Sequence, residues 1–255
     1  CGPQNSSLWA EEISQYGDIE GLPSFVNREQ ILNKDENPYN DAFWKWWDSG
    51  LKNSLRHLTI TGGEPLLSKQ FWKVLDRVEE EKLDITVMVN TNLCPPVKLF
   101  NKFMDRVKNF NQDKLIVSTS IESTGQRAEY SRYGLNYDMF MENFKTILDN
   151  TKMRTAVNLT NNALSFTSMT DIVEEITKFK AKYGARRIIL HSNDVTYPKY
   201  LNLRLLPENI KKQEVAKFKK FMKSNLDQFT EIEKLKFART LDVALVEEPE
   251  KEMYR

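Results

Sequence analysis

The sequence predicts an α/β protein whose parallel strands form part of a β/α barrel. Three observations lead there. From Arg56 onward, apolar runs of strand length alternate with longer segments whose apolar residues recur at helical spacing. Strands separated by helices of that length pair in parallel, because each crossover carries the chain back across the sheet. Every strand-like run also ends in a polar cluster: TGGE, NTN, STSIES, NLTNN and HSND in turn. The carboxyl ends of barrel strands share one mouth, so all these clusters would line one cavity. An open sheet would use mainly those at its switch point.

The elements run in order along the chain. SSLWAEEISQYG offers Ser6 or Ser7 as a helix cap, acids in the first turns, and Leu8, Trp9 and Ile13 at helical spacing. Residues 17–55 form a long insertion whose Phe43, Trp44, Trp46 and Trp47 are too aromatic for a solvated linker. They suit either a helix pinned to the barrel side or a substrate-facing wall. The strand runs are RHLTIT, DITVMVN, KLIVSTSI, RTAVNLT and RRIILHS, starting near residues 56, 84, 114, 154 and 186. Between them, Ser68 to Lys82 places Phe71, Trp72, Leu75 and Val78 on one face, and Val97 to Phe110 does the same with Phe100, Phe103, Met104 and Val107. Asp138 to Leu148 and Thr170 to Tyr183 complete the helical set. After His191 the rhythm stops; Glu208 to Leu226 reads as a basic amphipathic helix, and KLKFARTLDVALVEEPEKEMYR as another helix with a frayed end. The expected domains are 1–206, the barrel portion, and 207–255, a C-terminal helical extension.

Composition narrows the function. With 255 residues and 40% hydrophobic content the chain can bury one large core. Its 37 basic and 36 acidic residues leave a net charge of +1 without a long block of one sign, so neither a nucleic-acid nor a membrane partner is expected. Two cysteines, Cys1 and Cys94, make no disulfide framework and point to the cytoplasm. A chain opening on CGPQNSS is expected to be processed or cut from a longer one. A mature lipoprotein also begins with Cys, but it would continue as a polar tether, whereas a packed helix is expected here.

The chemistry concentrates at HLTITGGEPLL. Gly62 and Gly63 leave the backbone bare for close approach by a ligand, Glu64 adds an acceptor for an ammonium group, and Pro65 stops the strand. TGGEPLL resembles the Gly-Gly-Glu strand-end motif of radical S-adenosylmethionine enzymes. CGPQNSSLWAEE is similar to the stretch that begins at the last cysteine of their CxxxCxxC loop in the twitch or SPASM branch. STSIESTGQRAEYSRYG resembles the family's fourth-strand segment, with Glu122 in place of Asp and Ser123 in place of Gly. VNTNLCPP resembles a strand end normally written Thr-Asn-Gly, with Leu93 as a departure. TYPKYLNLRLLP looks like the segment that closes the barrel in the twitch branch.

The resemblance implies a partial TIM-type (β/α)6 barrel whose first strand lies upstream of this chain. It implies Cys1 as a ligand of a 4Fe-4S cluster, and Gly62, Gly63 and Glu64 at the amino group of S-adenosyl-L-methionine. Ser120 (or Ser118) and Arg132 would contact its ribose or carboxylate, and Asn92 would join the cofactor site. The activity implied is reductive cleavage of the cofactor and hydrogen abstraction from an unknown small-molecule or peptide substrate, with a flavodoxin or ferredoxin as electron donor. The chain alone, with one cluster cysteine, is expected to be inactive. Plainer readings stand beside these. Asn90, Asn92, Asn158, Asn161 and Asn162 suit loop capping as well as ligand contact; Arg132 suits an ion pair with Glu129. His191 suits a satisfied polar position, and Cys94 an ordinary thiol. A non-enzymatic barrel binding a small polar metabolite or peptide is the alternative from another class.

Overall fold

The computed structural model describes residues 7–17 and 37–246. The chain is α/β, with a five-stranded, all-parallel sheet. Its contacts divide it into two compact units between Asn90 and Thr91.

The first unit carries α1 (Ser7–Tyr16), α2 (Pro38–Trp46), the short α3 (Lys52–Ser54), β1 (His57–Ile60), α4 (Lys69–Glu80) and β2 (Thr86–Thr91) up to its last residue. Strands β1 and β2 pair in register from His57 opposite Thr86 to Ile60 opposite Val89. Of the aromatic insertion, residues 18–36 lie outside the described residues, and Pro38–Trp46 is a helix. Asn37 caps it by accepting the Tyr39 N–H at 3.0 Å, and Pro38 takes the first turn, where a missing N–H costs nothing. A π-helical turn (Trp47–Leu51) then carries Trp47 into full burial. Phe43, Trp44 and Trp47 pack ring on ring with centroids 5.1–5.8 Å apart. The Trp44 indole donates to Gln70 Oε1 of α4 at 2.7 Å, and the Lys73 ammonium of α4 lies 4.2 Å from its ring centre. This helix is thereby packed against α4.

The second unit carries α5 (Val97–Lys108), β3 (Leu115–Ser120), α6 (Gly125–Ser131), α7 (Tyr137–Asn150), β4 (Arg154–Asn161), α8 (Met169–Tyr183), β5 (Ile188–Asp194), α9 (Glu208–Ser224) and α10 (Glu231–Leu245). Strand alternation sets its core. Leu115 and Val117 of β3, Val157 and Leu159 of β4, and Ile188 and Leu190 of β5 are fully buried, as are Phe140, Phe144 and Ile147 of α7 and Ile172, Val173 and Ile176 of α8. Each such side chain contributes roughly 1.5–3 kcal/mol by leaving water. Helix α6 is additional to the expected set.

The helices beyond residue 206 are built into this unit. Helix α10 tracks β5 residue by residue: Glu233 Oε1 accepts the Leu190 N–H at 2.7 Å, Lys236 Nζ lies 2.8 Å from His191 Nδ1, and Thr240 Oγ1 lies 2.9 Å from Ser192 Oγ. A strand with open N–H groups invites stray pairing, and a helix laid along it removes that hazard. Glu214 of α9 does similar work for α8, taking both the backbone N–H (3.2 Å) and the hydroxyl (2.7 Å) of Thr170.

Candidate functional site

In the first unit the chain leaves β1 at Ile60 and turns through Gly62 and Gly63, with φ 92° and 44°. A left-handed residue other than glycine costs about 1–2 kcal/mol. Crowding is not the reason for glycine at Gly62, since a Cβ built there meets nothing within 4 Å. The requirement is conformational. Both glycines are exposed, so their peptide groups face solvent. Glu64 then caps the 3-10 turn Pro65–Leu67, with Oε1 accepting the Leu66 N–H at 3.2 Å. The turn is anchored beneath by buried Pro65 and Leu66, and the Trp72 indole donates to the Leu66 carbonyl at 3.0 Å. Ser68 caps α4 through the Gln70 N–H at 3.2 Å. The result is a rigidly held loop offering bare backbone and a partly buried carboxylate, which together can accept hydrogen bonds from an ammonium group.

In the second unit, parallel register places Ser120 beside Asn158 and Asn158 beside His191. These three form a row across β3, β4 and β5, at about 5 Å per strand. All are partly buried, and Thr160 on the same face is too, while Thr119, Val157 and Leu190 on the other face are fully buried. Asn158 Nδ2 donates to Ser118 Oγ at 2.8 Å and to the Thr119 carbonyl at 3.0 Å, which ties Ser118 into the row. His191, which the sequence reading set aside as a plain polar position, thus shares a face with Ser120. Burial first, and then the neighbouring Lys236 charge, push its pKa below the ordinary value, with Glu233 opposing.

Arg132 pairs with Glu122 rather than with Glu129. Its Nε donates to Glu122 Oε2 at 2.6 Å, and its Nη2 to Oε1. The Thr160 N–H also donates to Glu122 Oε1, at 3.2 Å. The Glu122 side chain is 3% exposed and that of Arg132 32%, so a fork at the surface neutralises a carboxylate inside. Glu129 instead accepts the Tyr137 N–H at 3.0 Å, at the start of α7. Ser123, the other departure in this segment, is fully buried and shares a 2.6 Å hydrogen bond with Ser168.

Asn92 is exposed and its Oδ1 accepts the Cys94 N–H at 2.8 Å, the geometry of an Asx turn. Leu93 beside it adopts φ 55° although fully buried. Thr91 Oγ1 holds its N–H at 3.1 Å, and Asn143 Nδ2 donates to its carbonyl at 2.8 Å. Leu93 therefore keeps a backbone conformation that favours glycine. Cys94 is partly buried, with its thiol 3.3 Å from the Asn136 carbonyl.

Asn161 and Asn162 also serve the scaffold. Asn161 Nδ2 donates to Ser192 Oγ at 2.8 Å and to the Asn193 carbonyl at 3.0 Å, while Asn162 Oδ1 accepts the Leu164 and Ser165 N–H groups at 2.9 and 3.2 Å. Cys1 lies outside the described residues. Among the described residues no group of three or more His, Cys, Asp or Glu side chains is placed to hold a metal ion. The sequence reading did not anticipate the Arg132–Glu122 and His191–Lys236 pairings: alternation along β5 puts His191 on the polar face, but its partner Lys236 lies in α10, and Glu122 lies two residues past the end of β3. No protein-family model, curated protein or solved structure matches this chain.

Proposed function

We propose that this chain is the partial barrel of a radical S-adenosylmethionine enzyme, in which the Gly62–Glu64 turn receives the ammonium of the cofactor's methionine group. The observation that carries the reading is the turn itself: two successive glycines at positive φ, exposed, at the carboxyl end of a parallel strand, with Glu64 next in line. Carboxyl ends of parallel strands are where barrel enzymes place their chemistry. The residues of the turn fit an ammonium ligand, because exposed peptide carbonyls and a carboxylate are acceptors and a Cβ built at Gly62 would meet nothing within 4 Å. When bound, a 4Fe-4S cluster and S-adenosylmethionine would supply the reducing electron and the radical chemistry that such a reaction needs.

This chain's own part is to bind and orient. In the second unit, Ser120 stands on the polar face, whereas the Arg132 guanidinium is taken up by Glu122. On this reading Arg132 acts by fixing Glu122 and the strand end around Thr160. Cys1 remains the proposed cluster ligand by resemblance alone.

The test uses the full-length protein that carries this chain, reconstituted anaerobically with iron and sulfide. Gly63→Val should abolish reductive cleavage of S-adenosylmethionine while the circular dichroism stays native. Cys1→Ala should lose iron and visible absorbance, and Cys94→Ala should keep both. Unchanged cleavage by folded Gly63→Val would remove the turn from the site. Binding of S-adenosylmethionine without iron or cleavage would favour the non-enzymatic binding barrel instead.

A further inference from the structure

We propose that His191 and Lys236 form a subsite for an oxyanion, a carboxylate or phosphate carried by a small ligand, on the polar face of β3, β4 and β5. The proposal stands on the second unit alone and does not depend on the reading of the Gly62–Glu64 turn.

The geometry of the pair sets its chemistry. Lys236 Nζ lies 2.8 Å from His191 Nδ1. An ammonium has only protons to give, so Nδ1 accepts, the imidazole is neutral, and its proton sits on Nε2. Two donors result: the Nε2–H of His191 and the remaining N–H groups of Lys236. Both side chains are partly buried.

What sets this pair apart is its charge balance. Among the described residues several partly or fully buried cations face carboxylates, Lys52 and Arg77 at Glu81, Arg132 at Glu122 and Lys180 at Glu233, and others, Arg187 and Lys211, donate to backbone carbonyls. Lys236 has no carboxylate partner among the described residues; what it touches is a second basic group. The acid nearest in α10, Glu233, is spent on Lys180, on the Leu190 N–H and on its own helix cap at Thr230. Withdrawing an ammonium from water without a counter-charge is costly, and a bound oxyanion would supply that charge. Asn158 and Ser120 continue the row from His191 and give a ligand attached to that anion a polar surface to lie on. Burial and Lys236 both hold the imidazole pKa down; an anion at Nε2 would act the other way.

The experiment is nitrogen-detected imidazole NMR on the whole 255-residue chain, titrated separately with sodium acetate and inorganic phosphate at ionic strength fixed by chloride. The expected start is the Nε2–H tautomer of His191. Acetate or phosphate should then shift both ring nitrogens along a saturating curve and raise the His191 pKa. The ion that saturates first identifies the ligand's anionic group. Lys236→Met should weaken the response by about tenfold or more, the scale of one charge-assisted hydrogen bond; Lys236→Gln serves equally if the Met variant does not fold. Shifts no larger than those from chloride overturn the proposal from the wild-type titration alone. So does an Nδ1–H tautomer, or an undiminished response in a folded Lys236 variant.

Discussion

Replacing Glu233 by Ala should come close to unfolding the second unit. One carboxylate, fully buried, meets four donors: Lys180 Nζ at 2.6 Å, the Leu190 N–H at 2.7 Å, and the N–H and hydroxyl of Thr230 at 2.7 and 2.8 Å. It therefore ties α8, β5 and the start of α10 together. Removing it strands the Lys180 ammonium, itself fully buried with the Phe229 ring centre 5.1 Å away. Breaking a buried pair in this way costs about 3–5 kcal/mol. Two backbone N–H groups lose their acceptor as well, each worth about 1–3 kcal/mol if no water replaces it. The vacated space admits water, so the sum is smaller than its parts, and about 4–6 kcal/mol is the working figure. Against a total stability of roughly 5–15 kcal/mol, that is a large fraction.

The assay is urea denaturation followed by near-ultraviolet signal, together with hydrogen exchange at the Leu190 amide. With a slope of about 2 kcal/mol per molar urea, the midpoint should fall by roughly 2–3 M. Burial lowers the Lys180 pKa and Glu233 opposes that effect. Without Glu233 the native state should bind this proton still less readily than the unfolded chain does. Stability then rises with pH between the folded and the ordinary lysine pKa, so the variant's deficit should narrow in alkaline buffer. In the pair Lys180→Met with Glu233→Gln, the double variant should recover about 1–3 kcal/mol relative to the sum of the singles. A midpoint shift under about 0.5 M, or strict additivity, would refute the view of Glu233 as the joint of this unit.

Three further outcomes are expected. Leu93→Gly relieves a positive φ worth about 1–2 kcal/mol but empties a fully buried site worth about 2–5 kcal/mol, so it should destabilise on balance, and a higher urea midpoint would reverse that ranking. The depressed His191 pKa favours the neutral ring in the fold, a contribution present above the ordinary histidine pKa of about 6.5 and lost as pH falls through the folded value. His191→Gln should accordingly flatten the acid side of the stability profile; an unchanged acid slope would show that other groups cause it. Arg132→Ala leaves the Glu122 carboxylate with the Thr160 N–H and should cost about 2 kcal/mol, discounted because the guanidinium is partly exposed. Arg132→Lys, which cannot make the fork, should restore only part of that midpoint in the same titration.

The strands and main helices were legible because their signal is local. β2 and β4 are strand-like within any short window, and α5 or α8 shows its apolar stripe without reference to the rest of the chain. Pairings between elements were not legible in that way. Glu129 lies three residues before Arg132 and would be its natural partner on a continuing helix. Helix α6 stops at Ser131, however, and Arg132 adopts φ −129° and ψ 86°, which takes its side chain off the helix face. It then reaches Glu122, two residues past the end of β3, and Glu129 is left to cap α7. Nothing in the spacing of these residues announces where α6 must end.

The polar clusters at the strand ends show a second limit. Their residue types left loop capping and ligand contact both open, and Asn92, Asn161 and Asn162 engage turns and neighbouring strands. An asparagine in a loop carries the same letter whether its amide closes an Asx turn or faces a ligand, and only the partner's position separates the cases. Two places differ from these. At Gly62 and Gly63 the exposed backbone requires glycine's conformation while no neighbour crowds Gly62. At His191 and Lys236 a partly buried ammonium meets a base instead of a carboxylate, through a contact spanning 45 residues of sequence. The first was visible in the letters because glycine is itself the signal. The second required α10 to be laid along β5, for only then does an ordinary lysine on an amphipathic helix meet a histidine with no carboxylate partner among the described residues.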